Sequence, residues 1–121
     1  MADTRDAQDL LPLTHVSYHV LLAIADKPLH GYGIIKEVAD RTDGRIDMEA
    51  GTLYAAIKRL ADDGLLDEAA PPRKGNTDSR RKYYRLTPFG RRVLRAESQR
   101  LVSLIDLARE KRVLPEAPRT V

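Results

Sequence analysis

Apolar residues recur at helical spacing in four stretches of the chain, and the breaks between them carry turn chemistry. Val16, Val20, Leu21, Ile24 and Ala25 fall on one broad face, the period of an amphipathic helix. Thr14 stands where an N-cap belongs, because its hydroxyl can accept from an orphan amide of the first turn. Asp26-Lys27-Pro28 ends the segment. A second stripe, Ile34, Ile35, Val38 and Ala39, predicts a helix from about Gly31 to Arg41. A third, Leu53, Ile57, Leu60 and Ala61, predicts a helix from Ala50-Gly51-Thr52 to a left-handed cap at Gly64. The fourth opens at Thr87-Pro88, an N-cap followed by a proline at the first helical position. It runs to Val113-Leu114, about 26 residues or on the order of 39 Å.

Between these stripes the period shortens to two. Leu65-Leu66-Asp67-Glu68-Ala69 and Lys82-Tyr83-Tyr84-Arg85-Leu86 read as an antiparallel pair of strands. Adjacent strand residues point to opposite faces, so one of Tyr83 and Tyr84 is expected in the core and the other on the surface. Ile46 and Met48 alternate with polar neighbours and predict a further, very short strand. The segment from Pro71 to Arg81 is far longer than a tight hairpin needs, and long connections in small domains carry function or are disordered. The expected fold is therefore mainly α with a small β-hairpin: a winged helix-turn-helix over residues 12–88 and a long C-terminal helix over 88–114. A flexible segment, 1–11, and a disordered tail, 115–121, flank them.

Composition narrows the chemistry. At 121 residues there is room for one domain. With no Trp and one Phe, the core must be aliphatic. The absence of Cys removes disulfides and thiolate chemistry and fits a reducing cytoplasm. No apolar run approaches the roughly 20 residues of a membrane span, and the polar, acidic start does not read as a signal peptide. A cytoplasmic protein is expected. Net charge is +3, but its placement says more. Arg73, Lys74, Arg80, Arg81, Lys82 and Arg85 gather around the hairpin, with Asp78 as the acidic residue among them.

Three short helices followed by a basic hairpin form an arrangement suited to duplex DNA. A helix fits the major groove, and cations on a wing reach phosphates or the minor groove. Asp62 and Asp63 at the end of the third helix leave its N-terminal half as the part facing DNA, the usual docking for a recognition helix.

Four motifs in order sharpen this reading. They are Leu29-His30-Gly31-Tyr32-Gly33-Ile34-Ile35, the run Gly51 to Leu60, Gly64-Leu65-Leu66, and the run Arg81 to Gly90. Over about residues 13 to 112 the chain resembles the PadR family of bacterial winged-helix transcriptional regulators. The resemblance implies a homodimer, usually a repressor, on a palindromic operator in double-stranded DNA, released by a small ligand or another signal. The single C-terminal helix looks like the compact branch of that family. Tyr32 matches a family Tyr near the DNA backbone; the alternative is a half-buried Tyr packed on the third helix. Thr52, Tyr54 and Lys58 match DNA-facing positions of the family, against the alternative of a solvated face. Arg73, Lys74, Arg80 and Arg81 sit where a wing contacts phosphate, against the alternative of a solubilising loop.

On the last helix Leu94, Leu101 and Ala108 recur at heptad spacing, and Leu104 and Ile105 widen the stripe. A helix this long outruns a core of three short helices, so its far half points to a partner copy rather than to its own domain. The resemblance adds the first helix to that interface, through Val16 and Val20. No cofactor is implied. His15 and His19 are four apart, but no third metal ligand is evident nearby. His30 reads as a local cap or packing residue. Gly31-Tyr32-Gly33 lacks the continuation of a phosphate loop, no Ser sits in a nucleophile elbow, and the carboxylates lie in polar runs. No enzyme is expected. Relatives that stack planar drugs between interfacial Trp residues offer no guide to a chain without Trp, so no effector can be assigned. Two function classes stand: a dimeric DNA-binding repressor, and a winged-helix scaffold for protein partners that would not need the basic wing.

Overall fold

A computed structural model describes residues 4–72 and 81–116. Helix α1 spans His15–Ala23, and the Thr14 hydroxyl accepts from the Ser17 amide, the cap the sequence predicts. Strand β1 is Leu29–His30. Helices α2, Gly31–Arg41, and α3, Ala50–Asp62, follow. Gly64 closes the turn after α3 at φ +77°, where a side chain would be strained. Strands β2, Leu66–Ala69, and β3, Tyr83–Leu86, then lead into α4, Pro88–Glu110, capped by the Thr87 hydroxyl. The fold is mainly helical with one small antiparallel sheet in the order β1-β3-β2.

Two strand expectations are corrected. Ile46 to Met48 forms no strand. Its alternation instead serves an extended link whose Met48 sinks into the core. The third strand is β1, which pairs Leu29 with Tyr84 and His30 with Tyr83. Because β3 is thus central, Tyr83 and Tyr84 are both buried rather than one of them. Tyr84 belongs to the main core, while Tyr83 lies edge-on to the His30 ring at 5.3 Å.

Val20, Leu21, Ile34, Leu53 and Val93 are fully enclosed where α1, α2, α3 and the first half of α4 meet. Val20 at 0% exposure and Leu94 at 7% were expected at a dimer seam. They are core residues of the protomer, since their helix faces turn inward and leave almost no surface for a partner. Val16 is half-buried.

Helix α4 changes character along its length. Phe89, Gly90, Val93, Leu94 and Glu97 are buried. Beyond Glu97, Leu104 and Ile105 are exposed and Leu101 and Ala108 half-exposed. The helix has 23 residues, about 35 Å. It stops short of the expected Leu114 because Arg112 turns left-handed and the Val113 amide bonds back to the Ala108 carbonyl, a Schellman-type end.

The start of the chain is also more ordered than its polarity implies. A 3-10 turn at Ala7–Leu10 is capped by Asp6, and the Arg5 guanidinium lies 4.1 Å from the centre of the Phe89 ring. The Leu13 amide donates to the Glu97 carboxylate at 2.6 Å, and Arg100 donates to the same carboxylate. Expectations for residues 1–3 and 117–121 lie outside the described residues.

Glu97, 1% exposed, is a carboxylate that the sequence pattern did not single out. Burial alone would raise its pKa, but the hydrogen bond from Arg100, with help from the Leu13 amide, outweighs burial and holds it below the usual 4.5. His19 and His30 lie below the usual 6.5, mainly because partial burial disfavours the charged ring; His15 and then Arg41 add to this at His19, and Arg81 does at His30. Each group therefore binds its proton more weakly folded than unfolded. Each contributes stability above its unfolded pKa that is lost as pH falls through its folded one. Thermal melts should weaken on acidification first from about pH 6.5 and again below about 4.5. Glu97→Gln should flatten the lower step; an unaltered low-pH profile would remove Glu97 from the acid response.

Candidate nucleic-acid interface

Helix α2 enters from β1 with His30 as its N-cap residue, whose Nδ1 accepts from the Gly33 amide at 2.9 Å. The same ring stacks on Tyr32 at 6.3 Å and 12° between planes. Helix α3 brings Tyr54 across the start of α2. A methyl group added at Gly31 would collide with the Tyr54 hydroxyl, so glycine there is what lets the ring lie against α2. Strand β3 is held to β1 by the His30–Tyr83 pairing, which places Arg81 beside His30 with Nη1 at 3.0 Å from Nε2.

These elements enclose an open cleft of about 340 Å³ lined by His30, Gly31, Tyr32, Tyr54, Arg81, Lys82 and Tyr84. Of the predicted contact residues, Tyr32, Tyr54 and Arg81 meet in it. Tyr32 is 66% exposed and Tyr54 50%, so the packed alternative for Tyr32 fails. Thr52, in the first turn of α3, and Lys58, one turn beyond Tyr54, are exposed. Lys58 pairs with Asp62 at 3.2 Å, an exposed ion pair that holds the ammonium weakly. Arg73, Lys74 and Arg80 lie outside the described residues.

The basic cluster is less cationic in space than along the chain. Arg85 faces its ladder partner Asp67 at 2.7 Å, and Lys82, just before β3, reaches Glu68 at 3.6 Å. The acidic run of β2 thus offsets these cations, a pairing that linear charge counting misses. His30 and Lys82 were not predicted as site residues. The motif placed His30 as a cap, which it is, but the cap also holds its ring at the mouth of the cleft.

A second hollow of about 460 Å³ lies away from this face, lined by His15, His19, Arg41, Thr42, Asp43, Arg45 and Ile46. The two His rings meet edge to face at 4.6 Å. Among the described residues no group of three metal-ligating side chains gathers, and no helix is long and apolar enough to cross a membrane.

Comparison with known proteins agrees with this architecture. The sequence matches the transcriptional regulator PadR-like family over residues 20–96. It is 38% identical over 95 residues to the transcriptional regulator Rv3488 of Mycobacterium tuberculosis, covering 78% of this chain and 80% of that protein. The crystal structure of a PadR family transcriptional regulator from Eggerthella lenta superposes with a TM-score of 0.64 at 34% identity, covering 84% of this chain and 83% of that one. Bacillus subtilis PadR, solved in complex with operator DNA, shares the fold with a TM-score of 0.56 at 20% identity, over 89% of this chain and 53% of that one. With the family match running from α1 through the buried half of α4, the chain belongs to the PadR-like family of transcriptional regulators.

Proposed function

We propose that this chain is a homodimeric, sequence-specific DNA-binding regulator, a repressor of neighbouring genes that a small ligand or another signal releases. The observation that carries the reading is the cleft where the start of α2, the face of α3 and the root of the wing present Tyr32, Tyr54 and Arg81 together. Thr52 and Lys58 extend that face along α3. A helix face for the groove beside hydroxyl and guanidinium donors for the flanking phosphates is the equipment such binding needs. Members of the family are transcription regulators rather than enzymes. The homodimer is supported by the apolar distal face of α4, where Leu104 and Ile105 stand exposed with Leu101 and Ala108 beside them.

Footprinting on the promoters next to the chain's own gene tests this. A protected palindrome is expected, with log affinity falling linearly in log salt by about 0.9 per phosphate neutralised. Lys58→Ala should fold normally, because the side chain lies outside the buried stripe. It should weaken operator binding by about 1–3 kcal/mol if Lys58 reads a base, or lower affinity for all sequences alike if it meets phosphate. Full operator affinity in the folded variant would mean that α3 is not the reader.

A further inference from the structure

The His30 ring makes two contacts, one to the Gly33 amide and one to Arg81, and a single neutral tautomer accepts at only one of its nitrogens. A backbone amide can only donate, so the Gly33 amide at 2.9 Å from His30 Nδ1 requires a lone pair there. A neutral imidazole with an unprotonated Nδ1 carries its hydrogen on Nε2. Arginine is a donor at every nitrogen. With Nδ1 accepting from Gly33, the 3.0 Å approach of Arg81 Nη1 to His30 Nε2, a contact whose roles depend on the ring tautomer, brings two donors together. One acceptor lying in front of both would satisfy the two N–H groups together.

The ring is not free to turn away. Gly33 holds one edge, Tyr32 stacks on its face, and Tyr83 packs against it at 5.3 Å. Among the described residues no carboxylate forms an ion pair with Arg81, whereas the neighbouring Lys82 and Arg85 are matched by Glu68 and Asp67. The cleft in front of the pair is open to solvent and bordered by the side chains of Tyr32 and Tyr54.

We propose that His30 and Arg81 act as one clamp, in which the His30 Nε2–H and the Arg81 guanidinium grip a single oxygen of a DNA backbone phosphate. The proposal rests on the DNA-binding reading above and deepens it by assigning a residue whose capping role hides its second task. Arg81 supplies the charge and a charge-assisted bond. Neutral His30 supplies direction, because its hydrogen is aimed by a cap that cannot rotate without uncapping α2. The clamp fixes how the wing root and α2 sit on the backbone and carries no sequence information.

His30→Asn separates the two roles, since an asparagine side chain also caps a helix but does not reach the cleft. On a labelled short duplex of mixed sequence, His30→Asn should lose about tenfold or more in affinity with the salt slope unchanged. Arg81→Ala should lose affinity and make the slope shallower by about 0.9. The double variant should lose less than the two losses multiplied together, as expected for partners on one group. Nitrogen-15 NMR of the ring gives an answer without DNA: His30 should be the Nε2–H tautomer, and its Nε2 signal should shift when the duplex is added. An Nδ1–H tautomer, or full affinity in a folded His30→Asn variant, overturns the clamp while leaving DNA binding standing. A wild-type chain that binds no duplex overturns both. Sodium phosphate at matched ionic strength should leave the Nε2 signal in place; an equal shift would make this a general anion site and overturn the assignment to DNA.

Discussion

Replacing Leu101 and Ile105 together by lysine should turn the protein into a monomer with a folded winged domain and almost no grip on a palindromic operator. Both residues lie beyond Glu97, where α4 has left its own core, and Ile105 is 41% exposed. Two ammonium groups there cost the isolated protomer little. At an apolar seam they would have to be buried without partners, at several kcal/mol each. The proposed dimer would space two recognition helices about 34 Å apart, one turn of DNA. Without it each half-site binds alone, and the gain in effective concentration, on the order of 100-fold or more, is lost. Sedimentation decides the matter. A double variant that stays dimeric and still binds its palindrome tightly would show that the distal face of α4 is not the seam.

The second large effect is expected at Gly90. A Cβ at this position would fall far inside contact distance of the Leu65 backbone carbonyl and also crowd Leu86. The nearest neighbour is backbone held by a hydrogen bond: the Thr87 amide donates to that same Leu65 carbonyl at 3.1 Å. The Thr87 hydroxyl donates to the Gly64 carbonyl at 2.6 Å and accepts from the Gly90 amide at 2.9 Å. Alanine would normally favour a helix by about 1 kcal/mol over glycine. Here it must push α4 off the turn that precedes β2. Overpacking of this kind costs about 1–3 kcal/mol, and a hydrogen-bonded backbone carbonyl as the obstructing group puts Gly90→Ala at the upper end. Thermal denaturation should show a midpoint lower by on the order of 10 °C. A midpoint equal to or above wild type would mean that the two segments separate easily.

The helices were legible because each has a stripe at period 3.6, and all but α3 have a capping side chain at their start. Thr14 and Thr87 cap α1 and α4 as their positions imply. What escaped was set by partners distant in sequence. Two residues, Leu29 and His30, are too few to show a period, and they form a strand only because β3 lies alongside. Ile46 and Met48 have the period but no ladder beside them. Val20 and Leu94 fit an interface stripe equally well as a core stripe, and only the packing of α1 against α4 distinguishes the two. Glu97 looked like one more surface carboxylate until the Leu13 amide, eighty-four positions away, was found bonded to it. At the candidate site, the motif named Tyr32, Tyr54 and Arg81, which line one cleft. The second function of His30 did not, because it depends on which ring nitrogen is already engaged.

The division of α4 into an anchored and an unanchored half makes it a cantilever. Its root is bolted by Phe89, Val93 and Leu94, with the Glu97 carboxylate and the Ser98 hydroxyl, 2.8 Å from that of Tyr18, as further fastenings. From there to Glu110 the rod extends about 20 Å. In the proposed dimer any change of tilt at the seam is geared along that arm to the whole winged body. A rotation of about 10° over about 20 Å displaces the far end by about 3.5 Å, close to the 3.4 Å rise of one base pair. A signal that tilts the rods by so little would move each reading head one base step out of phase with its half-site, without touching a residue that faces DNA.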